Sequence, residues 1–255
     1  MKNKTGVMFG RIMKHVWRSP DTIITVALMP IAMMLMFVYV FGGAIQSALP
    51  AGAGNYVTYQ LPGILLITVA SGIAYTAYRL FMDVQKGIFE RFNAMPISRS
   101  SALLGHVLTS MVSIFISLLL VVVVALVMGF RSSAGVLEWL GVIGILALFT
   151  LGFTLIAASA GLTAQTVDGA SAFSYPLLFL PFLSSAFVPT ATMPLVVRVF
   201  AEYQPVTPIV NTIRALLAQQ SPGNDWWIAL LWCAGICVVA YVFAVRTYRR
   251  RALAH

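Results

Sequence analysis

Five stretches of this chain carry no Asp, Glu, Lys or Arg: Thr22 to Tyr78, Ser100 to Phe130, Trp139 to Val167, Gly169 to Val197 and Trp226 to Val245. Each is long enough for a membrane-crossing helix of about twenty apolar residues. The first holds two, because Gly42, Gly43, Pro50, Gly52, Gly54, Asn55 and Pro62 break up its middle with turn residues. The pattern therefore predicts an all-α membrane protein with six transmembrane helices. They are placed at Thr22 to Phe41, Val57 to Tyr78, Ala102 to Met128, Trp139 to Thr163, Ala170 to Phe187 and Trp226 to Val245.

Between the last two spans lies AFVPTATMPLVVRVFAEYQPVTPIVNTIRALL, from Ala186 to Leu217. It is apolar, yet Pro189, Pro194, Pro205 and Pro208 each remove a backbone donor and obstruct the preceding turn, so any helices here must be short and separately started. The segment is expected to form short external re-entrant helices that cap or line a passage. Two amphipathic pieces accompany the spans. Met8, Phe9, Ile12, Met13, Val16 and Trp17 recur at helical spacing against Lys4, Arg11, Lys14, His15 and Arg18, which predicts an interfacial helix over residues 1–20 ahead of a transmembrane domain at 21–255. Ser19 and Pro20 mark its end. In the second connection, Ile88, Phe89 and Phe92 share a helical face while Glu90 and Arg91 point away, and Pro96 closes the element. A short helix there suits either a peripheral partner's grip or a lipid surface.

Composition agrees: 255 residues, 60% hydrophobic and 9% charged, with mean hydropathy +0.92. The net charge of +9 is unevenly spread. Lys2, Lys4, Arg11, Lys14 and Arg18 precede the first span, Arg79, Lys86, Arg91 and Arg99 lie in the second connection, and Arg246, Arg249, Arg250 and Arg251 follow the last span. Only Arg131, Arg198 and Arg214 lie opposite. The positive-inside rule then puts both termini in the cytoplasm of a bacterial inner membrane, and the charge serves topology and anionic lipid, not nucleic acid.

The chain contains no G-x-x-x-x-G-K-[ST] loop and no polar stretch long enough for a nucleotide-binding domain, so it is not expected to hydrolyse ATP itself. The spans carry no mid-membrane charge of the kind ion-coupled carriers use. His15, His106 and His255 lie on separate segments. Cys233 and Cys237, one turn apart on the last span, read as packing residues, so neither a catalytic nor a metal site is expected. Gly141, Gly144 and Gly152 on the fourth span and Ser110, Ser113 and Ser117 on the third form small-residue stripes that fit helix packing, with substrate lining as the alternative. The fifth span is different, because Pro176 and Pro181 interrupt it. Its Phe173, Tyr175, Phe179 and Phe182 are the candidate substrate-pathway residues, against simple lipid contact.

The sequence GIFERFNAMPISRSSALLG, with Gly87, Glu90, Arg91, Pro96, Ser98, Arg99 and Gly105, resembles the type-2 ATP-binding-cassette permease family, especially drug-export permeases of the daunorubicin-resistance kind. A second match is FVPTATMP, with Phe187, Pro189, Met193 and Pro194, followed by Gln204, Pro205, Thr207, Pro208 and Arg214. The resemblance runs over nearly the whole chain. It implies a permease that pairs with a second copy or a sister permease and with two separate ATPase subunits, which hold the ATP and magnesium. It also implies that Gly87, Ile88, Phe89, Glu90, Arg91, Phe92, Pro96 and Arg99 couple to the ATPase, and that Phe187, Pro189, Met193, Pro194, Pro205 and Pro208 form an external gate. The first external loop, Gly42 to Tyr56, departs from the family in its lack of charge.

The function expected is export of a hydrophobic or amphipathic molecule such as a drug, antibiotic or lipid, as in multidrug efflux. Export of a lipid-linked polysaccharide uses the same architecture. A non-transporting accessory or structural subunit is the alternative of a different class.

Overall fold

A computed structural model describes residues 20–47, 49, 54–86 and 99–253. The amphipathic segment before Pro20 and the Gly87 to Pro96 element, with Ile88, Phe89, Glu90, Arg91 and Phe92, lie outside the described residues. Arg99 opens a long helix.

The described chain is helical throughout, with no strand among its residues. Helix α1 (Pro20–Met36) runs into a π-helical turn (Phe37–Phe41) and then into α2 (Gly42–Gln46). Long helices α3 (Tyr56–Gln85), α4 (Arg99–Val127) and α5 (Val136–Thr163) follow. Then come short pieces: α6 (Val167–Ser171), α7 (Ser174–Phe179), 3-10 turns at Leu180–Leu183 and Thr190–Thr192, α8 (Leu195–Tyr203) and α9 (Val206–Leu217). Helix α10 (Asp225–Leu253) ends the chain.

Five stretches are long and apolar enough to cross a membrane: Ile24–Gln46, Tyr56–Gln85, Gly105–Val127, Val136–Thr163 and Asp225–Ala244. They cover five of the six predicted spans. The first runs five residues beyond its expected end, straight through Gly42 and Gly43. In hydrocarbon a backbone that leaves the helix has no water to bond, so two glycines are a weaker interruption there than in solution.

The predicted span Ala170 to Phe187 is not one helix. Pro176 has no amide to bond the carbonyl of Ala172, and the chain turns at Ala172 and Phe173 before α7. Pro181 repeats the effect, tightening the last turn to 3-10 geometry over Leu180–Leu183. None of these pieces approaches the about 20 residues a crossing helix needs. Pro30 and Pro62 are absorbed inside α1 and α3 and Pro208 inside the first turn of α9, while Pro189, Pro194 and Pro205 act as predicted. Pro189, Pro194 and Pro205 stand immediately before Thr190–Thr192, α8 and α9, each starting a new short helix.

Helix α3 is the centre of the bundle. From Tyr56 to Ala70 every residue but Thr58 is buried, and α1, α4, α5, α6 and α7 all pack on α3. Its start is fixed by Asn55, whose Oδ1 accepts from the Thr58 amide at 2.9 Å while Nδ2 donates to Gly129 O at 3.0 Å. Gly129 has φ +97°, which a residue with a side chain adopts only under strain. The Asn55 contact ties the end of α4 to the start of α3, so these helices run antiparallel. Helix α5 runs alongside α3, and α10 packs along α5.

The glycine stripe of α5 is a packing device. A Cβ on Gly152 would lie 2.9 Å from Ile236 Cγ2, and one on Gly161 would lie 2.7 Å from Ala77 O, whereas among the described residues nothing lies within 4 Å of one on Gly144. Gly161→Ala is therefore expected to cost about 1–3 kcal/mol, because a backbone atom must move. Gly144→Ala should be neutral or slightly stabilising through helix propensity. Thermal unfolding of the two variants in detergent checks this ordering.

Candidate functional site

The residues with unusual chemistry gather where the broken helix, α9 and the start of α3 meet. Because the 3-10 turn ends at Leu183 and Ser184 is extended, the carbonyls of Leu180 and Leu183 lack a helical donor and are met by a side chain. Gln204 Nε2 donates to them at 3.2 and 2.5 Å from the bend between α8 and α9. Gln204 is 5% exposed, and its Oε1 has no partner among the described residues. The bend itself is held by Thr207 Oγ1, which donates to Ala201 O. Helices α8 and α9 thus form a hairpin whose tip is anchored on the broken helix.

Arg214 secures the other end of α9. Its Nη2 donates to Ser185 O at 2.7 Å and Tyr59 O at 3.1 Å, its Nε also reaches Tyr59 O at 3.2 Å, and Nη1 donates to Asn211 Oδ1 at 3.1 Å. The guanidinium carbon lies 3.8 Å from the centre of the Tyr59 ring. No carboxylate is within ion-pair distance among the described residues. The charge is carried by carbonyl dipoles, an aromatic face and Asn211, which passes one bond on to Asp225 Oδ2 at 3.0 Å. Ser185 Oγ donates to the same Asn211 oxygen at 2.7 Å. One side chain therefore clamps α3, α9 and the segment after the broken helix, and Asn211 extends the network to the start of α10.

Beside this clamp is a ring cluster. Phe187 stacks on Phe37 at 4.8 Å and on Phe182 at 5.0 Å, Phe41 lies 5.7 Å from Phe37, and Phe179 lies 6.5 Å from Phe182. Offset contacts of this kind stabilise by about 0.5–1.5 kcal/mol each beyond burial. The π-helical turn that carries Phe37 and Phe41 follows Met34, whose carbonyl accepts from Gln60 Nε2 at 3.3 Å. Gln60 is fully buried in α3, and its Oε1 is also without a partner among the described residues. Two buried glutamines thus brace two irregular helices, and the cluster sits between them. Gly63 permits the approach: a Cβ there would lie 2.6 Å from Ala186 Cβ and 3.3 Å from the Phe187 ring.

The predicted residues divide among these features. Phe179 and Phe182 belong to the ring cluster, with Phe179 66% exposed on its outer edge. Tyr175 is 53% exposed and outside the cluster, and Phe173 packs half-buried against the core. Among the gate residues, Phe187 is buried at the centre of the rings, Pro205 forms the hairpin bend and Pro208 is buried in the first turn of α9. Pro189, Met193 and Pro194 lie apart, on the connection leading to α8. Arg99 stands at the start of α4, far along the chain from these groups. The glycine stripe meets α9 and α10, through Leu216 and Ile236, while the serine stripe lines a recess beside α1 and α3.

Sequence reasoning missed Phe37, Phe41, Tyr59, Gln60 and the clamp made by Arg214. An amide in the otherwise apolar run YQLPGILL and two phenylalanines four apart in FVYVF were the available signals.

The chain matches the ABC-2 type transporter family over residues 3–218. It is 30% identical over 250 residues to the daunorubicin resistance ABC transporter permease protein DrrB1 of Streptomyces coeruleorubidus, covering 93% of this chain and 85% of that protein. It is 26% identical over 251 residues to the probable doxorubicin resistance ABC transporter permease protein DrrC of Mycobacterium tuberculosis, strain CDC 1551 / Oshkosh, covering 97% of this chain and 88% of that protein. The protein of the same name from strain H37Rv gives the same figures.

Proposed function

The chain belongs to the ABC-2 type transporter family, and on that premise we propose that it is the permease subunit of an ATP-driven exporter for hydrophobic or amphipathic compounds. The observation that carries this reading is similarity over almost its entire length to permeases named for daunorubicin and doxorubicin resistance. The assembly comprises two permeases, this chain with a second copy or a sister chain, and two separate ATPase subunits that bind ATP and magnesium.

The site supports a division of labour. The uncharged ring cluster of Phe37, Phe41, Phe179, Phe182 and Phe187 offers cargo an aromatic surface, which suits flat apolar molecules and gives little to a polar one. With both termini cytoplasmic, the broken helix makes the sixth crossing and α8 and α9 form the re-entrant outer gate. Exposed Val196, Val199, Phe200 and Tyr203 on α8 recur at helical spacing beside that gate, a face for the second permease. The ATPase engages the opposite end through the Gly87 to Arg99 segment. Its closing stroke shifts the permeases between inward-open and outward-open states.

Coupling is tested by Phe89→Ala and Glu90→Ala in proteoliposomes containing the permease and its ATPase. We expect transport per ATP hydrolysed to fall about tenfold, on the order of the 1–3 kcal/mol carried by typical allosteric coupling. A scaffold subunit would leave that ratio unchanged, which would contradict the proposal. The ring cluster has a separate test. Phe179→Ala, on the exposed edge of the rings, should raise the cargo concentration needed for half-maximal transport by up to about tenfold, the loss of one aromatic contact, while the ATPase still binds.

A further inference from the structure

The two arms of the hairpin are unequally covered. Helix α9 buries eight of its residues, whereas of the nine in α8 only Ala201 is buried. A helix that short is not held by its own hydrogen bonds and needs a surface to lie on. Successive residues turn by about 100°, so Leu195, Val196, Val199, Phe200 and Tyr203 fall within an arc of about 140°. All five are exposed, Val196 by 82% and Tyr203 by 79%. Arg198 and Glu202 sit together on one edge of that arc, 2.7 Å apart, and are the only charges on the helix.

The charged edge lies about a quarter turn from the middle of the apolar arc. A helix lying flat at the outer surface therefore keeps its charges in water while the apolar arc points sideways, along the membrane plane. Lipid is a poor match for that face. Helices built for a lipid surface carry Lys and Arg along the polar edge, whereas here the single Arg is cancelled by a Glu one turn on.

The charges instead suit a copy of the same helix. Two permeases inserted with the same orientation and related by a two-fold axis along the membrane normal bring in-plane helices together antiparallel. That axis also leaves the edge facing water where it was. Arg198 then stands opposite the second copy's Glu202 and Glu202 opposite its Arg198, with Val199 near the axis and Leu195 across from Tyr203. A sister chain would not need a pattern that complements itself. We propose that α8 packs antiparallel on α8 of a second copy of this chain, making the permease pair a homodimer joined at its hairpins. This pairing rests on the reading of α8 as a face for a second permease and chooses between the two partners that reading leaves open.

The test uses the full chain in membranes without ATPase or cargo. With Cys233 and Cys237 replaced by alanine, Val199→Cys should cross-link to itself on oxidation. Leu195→Cys should cross-link to a co-expressed copy carrying Tyr203→Cys and not to itself. Charge then decides the partner. Arg198→Glu and Glu202→Arg each break the pair within the helix, but together in one membrane they restore it between helices. Differently tagged copies of these two variants should co-purify about tenfold more than either variant with itself, since the two-fold axis counts each contact twice. The proposal is overturned by a chain that dimerises without the Val199 cross-link, or by mixed and like pairs recovered equally. A wild-type chain that stays monomeric overturns it too, its α8 being left to lipid or a sister permease. A chain that passes both tests yet moves no cargo with an ATPase would leave the pairing standing and sink only the export reading.

Discussion

Replacing Arg214 with alanine is expected to lower the unfolding temperature by on the order of 10 °C and to abolish transport while leaving binding of the ATPase intact. The reasoning begins with what the side chain covers. Its removal leaves the carbonyls of Tyr59 and Ser185 and the Asn211 oxygen short of a donor in a region where water is scarce. Each unmade bond costs about 1–3 kcal/mol, and the contact with the Tyr59 ring adds about 2 kcal/mol when desolvated. Part of that is regained by relaxation, so a net loss of about 3–5 kcal/mol is expected, at about 2–4 °C per kcal/mol for a chain of this size. Arg214→Lys keeps the charge but not the fork, and should fall between the two. Hydrogen exchange localises the effect. Residues 185–217 should lose protection in Arg214→Ala, while α4 and the inner half of α5 should not. Uniform loss across all helices would mean that Arg214 supports the bundle generally and is not a clamp on the outer segment.

The second large effect is expected at Gln204, and its size depends on the replacement. Gln204→Glu puts a carboxylate against the carbonyls of Leu180 and Leu183, so two attractive contacts become repulsive and a charge is buried without a partner. The carboxyl would have to protonate to remain there, and the hairpin should detach from the broken helix. Gln204→Leu has a milder outcome. It loses the two bonds but also removes the Oε1 that has no partner among the described residues, so about 2 kcal/mol is the expected cost. Thermal unfolding and transport should therefore rank wild type, then Gln204→Leu, then Gln204→Glu. If the leucine variant were as damaged as the glutamate variant, packing volume and not the donated bonds would account for the role of Gln204.

Much of the architecture was legible because hydrocarbon imposes simple rules. Five of the six predicted spans are helices close to their expected positions, since charge-free length is itself the requirement for crossing. Proline was equally readable after Phe187, where three short helices each start behind one. Its effect inside the fifth span was underestimated. Pro176 and Pro181 lie five residues apart, one and a half turns, and together they leave no uninterrupted ladder between Ala170 and Phe187. Gly42 and Gly43 misled in the opposite direction, because turn propensities measured in water overstate what glycine does in lipid.

The site was only half legible. Phe179 and Phe182 could be selected as aromatic residues near a kink and Phe187 through the family resemblance, but Phe37, which meets Phe182 and Phe187, is 145 residues before Phe182 and nothing local connects them. Arg214 stood out as a charge in an apolar segment. What it does depends on Tyr59 and Ser185 arriving from elsewhere in the chain. Gln60 and Gln204 carry no charge and match no catalytic pattern, so their value appears only when the carbonyls they serve are seen.

The most direct test of the account is uptake of doxorubicin into inside-out proteoliposomes containing this chain and a candidate partner ATPase. We expect uptake that requires ATP and both proteins, that is lost in Arg214→Ala, and that is insensitive to collapse of the proton gradient. Equal uptake without the ATPase, or uptake that follows the proton gradient in its absence, would contradict the proposal that this permease is driven by a separate ATP-hydrolysing partner.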